Sequence, residues 1–552
     1  MLRRGLAGVA GIGGAAAAYK YATDEGFGRA CTLYGRLGPV VVHYRAVEFK
    51  HSLLAPSQAA ATAEWRELDR RYAAEAVRVL ERLQGMYTKY GQIGAGMTNT
   101  FSPIWIEELR RLEDAVPPRS TETVLQTIEQ ETGKPLSATF SAFDPNPLGS
   151  ASIGQVHRAT LASDGSEVAV KVQYPDAAGF FRSDMATIKG FLALAAPEQL
   201  ITLSELERQF ELEFDYRQEA ANLAEVGANM RRHGLSPREV VVPAPRLELC
   251  SERVLVMELL PGAKLLDGLR KYAAKIAAKE GKSVEDFEAV MRAKIESEGV
   301  PPRYDGPSAR QIAWYLALAR LGDALANVPV LAYNASLGWL LGKALYVETT
   351  LPPNAPRIMD TLMRVHGKQL LVDGVFNADT HAGNFLLMPD DRIALIDYGA
   401  TKRLTREERL SACCLYAALG RADHDRIADL AIAGGYKSKH MDREVIVKLL
   451  RFGNDTMGRD LLGDKNVAQF IDELKAADPY EEAADNLVMS AFMSFRLRIV
   501  GLALNHPVVC SHWWASIAEA ELRREGLPYE MWDLAFMRKL NEGRVRVATT
   551  RY

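Results

Sequence analysis

The sequence predicts an α+β chain of two lobes, a small strand-bearing lobe followed by a larger helical one. Three observations lead there. At 552 residues the chain is longer than one hydrophobic core normally supports. Strand patterning is concentrated in one short stretch: Ile153 to Ala159, the hairpin signal Ser163-Asp-Gly165, then Glu167-Val-Ala-Val-Lys-Val172. Helical periodicity fills most of the remainder, at 48% apolar and 25% charged residues, which suits a folded globular protein.

Taken in order, residues 1–23 carry Arg3, Arg4 and Lys20 and no acid before Asp24, around a Gly/Ala-rich run from Gly5 to Ala18. That run is shorter than the ~20 residues of a spanning helix, so a weak targeting or membrane-associating segment is expected. Residues 24–140 read as a helical extension. In it Trp65, Leu68, Tyr72, Ala76, Val79, Leu83 and Met86 recur at steps of three and four, and Gly91 is expected to end that helix. Pro103 and Ser120 open two further short helices, and Phe143 to Gly149 reads as a turn-rich approach to the first strand.

Residues 141–262 form the first lobe, with a helical run from Leu203 to Arg231, a strand from Arg253 to Glu258 and a hinge at Leu260-Pro-Gly262. Residues 263–360 are an insert. Its second half, Ile312 to Tyr346, is rich in Ala and Leu, but Arg320, Asp323, Asn327, Pro329 and Asn334 interrupt it, so it makes a poor spanning helix. The expectation is a helical hairpin packed on the second lobe; the other reading is a surface that meets a membrane or an apolar partner. Residues 361–552 read as a mostly helical second lobe.

A net charge of −3 argues against nucleic acid as a partner. Five cysteines without a CxxC pair argue against structural disulfides or a zinc site, and the adjacent Cys413 and Cys414 fit a buried helix face.

The chemistry lies in residues that follow one another in a fixed order. Lys171 sits between Val170 and Val172, and a lysine on a half-buried strand is costly unless paired. Glu219, in the following helical run, is its expected partner. Asp379 and Asn384 share a glycine-containing loop, Asn377-Ala-Asp-Thr-His-Ala-Gly-Asn384, and Asp397 opens Asp-Tyr-Gly after an apolar run. An asparagine amide oxygen and a carboxylate are hard ligands suited to Mg²⁺ beside phosphates, and a second carboxylate can position or deprotonate a hydroxyl or water. The small-residue loop Gly149, Ser150, Ala151, Ser152, Ile153 and Gly154 could line phosphates with backbone amides, and Glu258 ends a strand on the nucleotide side. His157 and His381 lack partners at metal-ligand spacing. Together these are the parts of a nucleotide-phosphate and metal site of the protein-kinase type, which sharpens the fold expectation to a bilobal protein-kinase-like one.

Further motifs tie the chain to a family. Lys89-Tyr-Gly-Gln92 is similar to the Lys-x-Gly-Gln motif of the UbiB/ADCK, or aarF-domain, atypical kinase-like proteins. Glu213-Phe-Asp215 resembles their Glu-x-Asp motif, with Glu219 in the place of the helix glutamate. Ser150 to His157 resembles their alanine-containing nucleotide loop, and Asn377 to Asn384 their His-x-Asp-x-His-Pro-Gly-Asn loop. Two positions depart: Asn377 stands for the first histidine and Ala382 for the proline. The insert also makes the separation of Lys171 from Asp379 long for the family. Gly38 to His43 is most similar to the mitochondrial ADCK branch.

The resemblance implies ATP/ADP and Mg²⁺ as cofactors, Asp379, Lys171 and Glu219 as catalytic residues, and Asn384 and Asp397 as metal ligands. It also implies a role in ubiquinone or other isoprenoid-lipid metabolism at a membrane, in company with lipid-biosynthesis proteins. A mitochondrial location is expected, with the plastid as alternative. In the family the segment carrying Lys-x-Gly-Gln lies across the place of a peptide substrate. Lys89 and Gln92, with Glu213 and Asp215, are therefore expected to form a gating cluster. An ATPase or lipid phosphotransferase is the leading expectation, a protein kinase and a nucleotide-gated scaffold the alternatives.

Overall fold

Alternating valines build the first sheet. Strands β1 (Phe140–Ser150), β2 (Gly154–Leu161), β3 (Glu167–Gln173) and β5 (Val254–Glu258) form one antiparallel sheet in that order. Val168, Val170 and Val172 of β3 and Val254 and Val256 of β5 share a face, and the Thr121–Thr132 helix covers it with Val124 and Ile128. The helix opens at the expected Ser120, whose hydroxyl accepts from Thr123 N, and closes on Gly133 in the left-handed region.

The computed structural model describes residues 24–529 except 97–101, 114–117, 151–152, 196–202, 204–206, 208–210, 212–213, 280, 282, 285, 287–288, 291–292, 294–307, 345, 348–353, 466 and 483–484. The expected targeting segment, 1–23, lies outside the described residues. The chain divides into two units, Met1–Ala220 with Pro245–Leu259, and Ala221–Ala244 with Leu260–Tyr552.

The first unit holds the four-stranded sheet and a helical group comprising Glu25–Leu54, Gln58–Leu83, Gly85–Gly96 and Ala177–Ala195. Leu33, Val79, Leu83, Tyr87, Phe181 and Met185 lie in their common core. Arg29 clasps the buried Asp184 through two hydrogen bonds, one of 2.9 Å from Nε. Three expectations are corrected here. Gly91 does not end the amphipathic helix: the break falls at Gln84 and Gly85, both at positive φ, and Gly91 sits inside the next helix. A β-carbon at Gly91 would lie 2.3 Å from Leu112 Cδ1, so the glycine serves close packing rather than a turn. The Phe143–Gly149 stretch is part of β1. Its prolines are accommodated by register shifts on an edge strand, where a missing amide is tolerated. The expected run from Leu203 to Arg231 is interrupted, since the Tyr216–Arg232 helix starts afresh after Asp215.

The second unit carries a four-stranded sheet, β4 (Val240–Val241), β9 (Ile393–Leu395), β8 (Phe385–Leu387) and β6 (Ala263–Lys264), in that order, and a ribbon of β7 (Val375–Asn377) with β10 (Thr401–Arg403). Behind them pack the helices Ala355–Lys368, Arg406–Gly420 and Ser511–Arg524. Trp513 Nε1 donates to Asp360 Oδ1 at 2.8 Å and Trp514 Nε1 to Met363 O at 2.7 Å. Cys413 and Cys414 are buried in this core, and burial pushes both thiols up. The Ala309–Ser336 helix of the insert overturns another expectation. It is not packed on the second lobe: none of its apolar window Ala313–Ser336 is buried, and Trp314, Leu318, Leu325 and Leu331 stand exposed.

Candidate functional site

In the first unit, Lys171 comes from the middle of β3 and Glu219 from the first turn of the Tyr216–Arg232 helix, where a carboxylate also suits the helix dipole. Lys171 Nζ lies 2.9 and 2.8 Å from the two Glu219 carboxylate oxygens and 5.0 Å from the centroid of the Tyr216 ring. The Glu219 side chain is 3% exposed. A charge buried that far persists only with a partner of this kind. Gly154 opens β2 where a β-carbon would meet Val172 O at 2.5 Å, so its lack of a side chain lets strand and loop close up. Gly149 and Ser150 end β1, and Ile153 O accepts from Tyr174 N at 2.8 Å. Ala151 and Ser152 lie outside the described residues. Glu258 ends β5 and is exposed.

His157 is buried and satisfied. Its Nδ1 lies 2.8 Å from Asp144 O, its Nε2 lies 2.8 Å from the Gln155 amide, and its ring stacks on Phe143. Of the gating residues, Glu213 and the side chains of Lys89 and Gln92 lie outside the described residues. Asp215 is described. Its carboxylate holds Arg217 with two 2.8 Å bonds, which keeps its pKa below the usual carboxylate value.

The second unit carries the Asp379 loop and the Asp397 loop, and one residue joins them. Asn377 Nδ2 donates to Asp397 O at 2.8 Å, while Asn377 Oδ1 accepts from Asp379 N at 2.7 Å. The departure from the family pattern at Asn377 therefore supplies both a donor and an acceptor to the loop geometry. Asn384 Nδ2 donates to Asp379 O at 2.8 Å, which orients the amide and leaves Oδ1 as its acceptor atom. Asp397 Oδ1 accepts from Gly399 N at 3.0 Å. Between them Tyr398 is buried, its hydroxyl reached by Gln369 Nε2 at 2.8 Å and its carbonyl by Asn222 Nδ2 at 3.0 Å, and burial pushes its pKa up. The hydroxyl of Thr380 is buried with no hydrogen-bond partner among the described residues. His381 is exposed, and its Nδ1 accepts from Gly383 N at 3.0 Å.

Among the described residues no group of three or more His, Cys, Asp or Glu could hold a metal. Asn384 and Asp397 would thus provide only part of a cation's oxygens. That fits Mg²⁺, which binds through one or two protein groups plus phosphates and water.

A family model described as an ABC1 atypical kinase-like domain matches residues 111–293 and 338–431, together just over half of the chain. The chain belongs to this family. Among similar ABC1 proteins are the probable protein kinases UbiB of Shewanella piezotolerans, 34% identical over 197 residues, and of Vibrio cholerae, 35% identical over 217 residues. These matches cover 34% and 37% of this chain and 35% and 39% of the relatives, so the chain spans little more than a third of their length. A chloroplastic Arabidopsis thaliana protein named ACTIVITY OF BC1 COMPLEX KINASE 3 is 25% identical over 411 residues, covering 73% of this chain and 46% of its own.

One residue beside the Asp379 loop escaped sequence reasoning. Arg496, from the Asp485–Ala503 helix, forms a hydrogen-bonded ion pair with Asp379 Oδ1. A signal existed. Arg496 and Arg498 interrupt an otherwise apolar helix, and charges placed there need partners. Arg498 is the other case, buried and donating to Ser494 O and Gly453 O.

Proposed function

We propose that this ABC1-family chain is an ATP- and Mg²⁺-dependent phosphotransferase or ATPase. It supports isoprenoid-quinone or other lipid metabolism at an organellar membrane, the mitochondrial one ahead of the plastid. The observation that carries the reading is the Lys171–Glu219 pair, a half-buried strand cation held by a buried helix carboxylate. On this reading Lys171 binds the α- and β-phosphates, Glu219 holds Lys171 in place, and Asp379 positions the accepting hydroxyl or water. Bound Mg²⁺ would neutralise phosphate charge, held by the hard oxygens of Asn384 and Asp397. The bacterial relatives named probable protein kinases and the chloroplastic one named a kinase support the class of chemistry and an organellar setting. One observation favours a second reading, a nucleotide-gated scaffold without turnover: the Asp379 carboxylate is taken by Arg496.

The test is ATP hydrolysis by the purified chain, with and without liposomes and a phenolic quinone-precursor mimic, alongside thermal unfolding with Mg²⁺-ATP. Nucleotide that binds the folded state should raise Tm, and Asp397→Asn should remove most of the Mg²⁺-dependent part of that rise. Binding without hydrolysis under every condition selects the scaffold. An unchanged shift in Asp397→Asn overturns the metal assignment.

A further inference from the structure

The insert places its polar and apolar residues on opposite sides of one helix. At about 100° per residue, Arg320, Asp323, Asn327 and Asn334 of the Ala309–Ser336 helix fall within about 60° of one another. Two of them hold a returning strand of backbone. Asn334 donates from Nδ2 to Ala344 O at 2.9 Å and accepts at Oδ1 from Ala344 N at 2.7 Å. Asn327 does the same to Val347, at 2.8 and 2.6 Å. The spacings agree. Seven helical residues rise about 10.5 Å, and three extended residues about 10 Å, so the chain runs back antiparallel along the polar stripe. Of the half-covered positions, Leu316, Ala319, Asp323, Asn327, Val330 and Asn334 lie on that side, and Tyr333 lies at its margin.

From Ala313 to Ala335 what is left outward is apolar over about two-thirds of the circumference, with Arg310, Gln311 and Ser336 on that side only at the helix ends. Trp314, Leu318, Leu321, Leu325 and Val328 form its centre line, and Trp339 and Leu340, in the short Gly338–Leu341 helix after the bend, extend it. Trp314 is 67% exposed and Trp339 78%. A helix docking on a protein groove shows an apolar stripe of roughly 100°; a much wider one needs apolar cover on several sides, from a large core or from lipid. Trp314 and Tyr315 at one end and Trp339 and Tyr346 at the other are residues of the membrane–water interface.

We propose that residues 309–347 form a monotopic lipid-binding hairpin, lying in the plane of a bilayer surface. Its Trp314–Val328 face sits among the acyl chains, and its asparagine-bound return segment faces water. This deepens the membrane part of the function proposed above and names the element that carries it. The helix is long enough to span, but spanning is disfavoured on three counts. Arg320 and Asp323 lie within it. The chain returns as extended backbone, which hydrocarbon does not tolerate. Lys343, at the bend, would have to cross. The in-plane pose puts the asparagine stripe and the return segment on the water side together.

The experiment uses the full chain and vesicles of phosphatidylcholine with a minority of phosphatidylglycerol, without nucleotide, so that its failure leaves the phosphotransfer reading standing. Leu325→Asp with Val328→Asp should lower vesicle partitioning roughly tenfold or more and leave Tm unchanged, since both side chains are already exposed. Tryptophan quenching by lipids brominated near the headgroup should fall in Trp314→Phe with Trp339→Phe. Partitioning and quenching that ignore both pairs of substitutions overturn the proposal. So does a Leu325→Trp variant whose mid-helix indole is quenched most strongly with bromine at the chain ends, which marks a spanning helix. Self-association without lipid, abolished by the Asp pair and accompanied by no vesicle binding, assigns the face to a second copy and also overturns it.

Discussion

Asn377 and Asn327 use the same chemistry in two settings. Each side-chain amide donates to one backbone carbonyl and accepts from one backbone amide of a neighbouring segment. Asn377 is 3% exposed and ties two loops within a packed lobe. Asn327 is only half-covered and ties an extended segment to a helix whose other face meets solvent. The local bonds are alike, so what separates a rigid site from a free-standing hairpin is the material behind them. Buried, the amide has no water to fall back on; exposed, it has water as an alternative at every moment.

Burial should make the site-bearing unit sensitive to acid in a way that the hairpin is not, and this is the largest expected effect. His366, in the Ala355–Lys368 helix of the unit that carries the Asp379 and Asp397 loops, is fully buried against Phe385 with Nδ1 2.8 Å from Leu362 O, and burial pushes its pKa down to about 4 from 6.5. The folded state holds it neutral while the unfolded chain takes up a proton. The stability is therefore complete above pH 6.5, erodes as pH falls, and levels off near 4. At 1.36 kcal/mol per unit the loss amounts to about 3 kcal/mol. Denaturation midpoints across this range should show His366→Gln with a flatter acid limb than the parent chain. Protease cleavage within 309–347 should not follow the same titration, and if it does, the two regions open as one.

Asn377→Ala comes next. It takes this partner from a part-buried carbonyl at Asp397 and a part-buried amide at Asp379. Buried groups left unpaired cost about 1–3 kcal/mol each, so a net loss of about 2 kcal/mol is expected after relaxation. The Mg²⁺-ATP-dependent rise in Tm should shrink with it, because both loops lose their common tether. A variant as stable as the parent with an undiminished rise would show that the backbone alone holds these loops, and the contrast with Asn327 would then vanish.

The two regions also differed in how far they could be read in advance. The expectation that Lys171 needs a carboxylate came from its place between two valines, because burial cost is a local property of strand patterning. The Asp379 and Asp397 loops were legible by spacing, since a short loop fixes which atoms can converge. Arg496 was not, because its helix lies more than a hundred residues downstream and no local rule links it to Asp379. Gly91 misled for a related reason: a glycine that lets Leu112 approach and one that ends a helix look alike until the neighbour is known. The Ala309–Ser336 helix misled most. An Ala/Leu-rich run carries the same composition whether protein or lipid covers it, and only the absence of burial along Ala313–Ser336 separates the two. Even four of its five interruptions, Arg320, Asp323, Asn327 and Asn334, read as flaws in a spanning helix, lie on the side that binds the return segment.

The smallest expected effect probes that side. Asn327→Ala with Asn334→Ala removes four hydrogen bonds, yet the freed backbone at Ala344 and Val347 is exposed and water takes them over. Global stability should change by no more than about 0.5 kcal/mol, as for surface substitutions away from a packed core. The local effect should be large by contrast. With its clamps gone, the 342–347 segment is free to leave the helix, and limited proteolysis should cut there several-fold faster, an opening independent of global unfolding. Vesicle partitioning should fall as well, because the polar stripe of Arg320, Asp323, Asn327 and Asn334 would no longer be backed by a fixed polar return. A global loss of the size expected for Asn377→Ala would place the hairpin within the cooperative core of its unit, and would mean that the amide bonds, rather than the packing behind them, set the difference between the two regions.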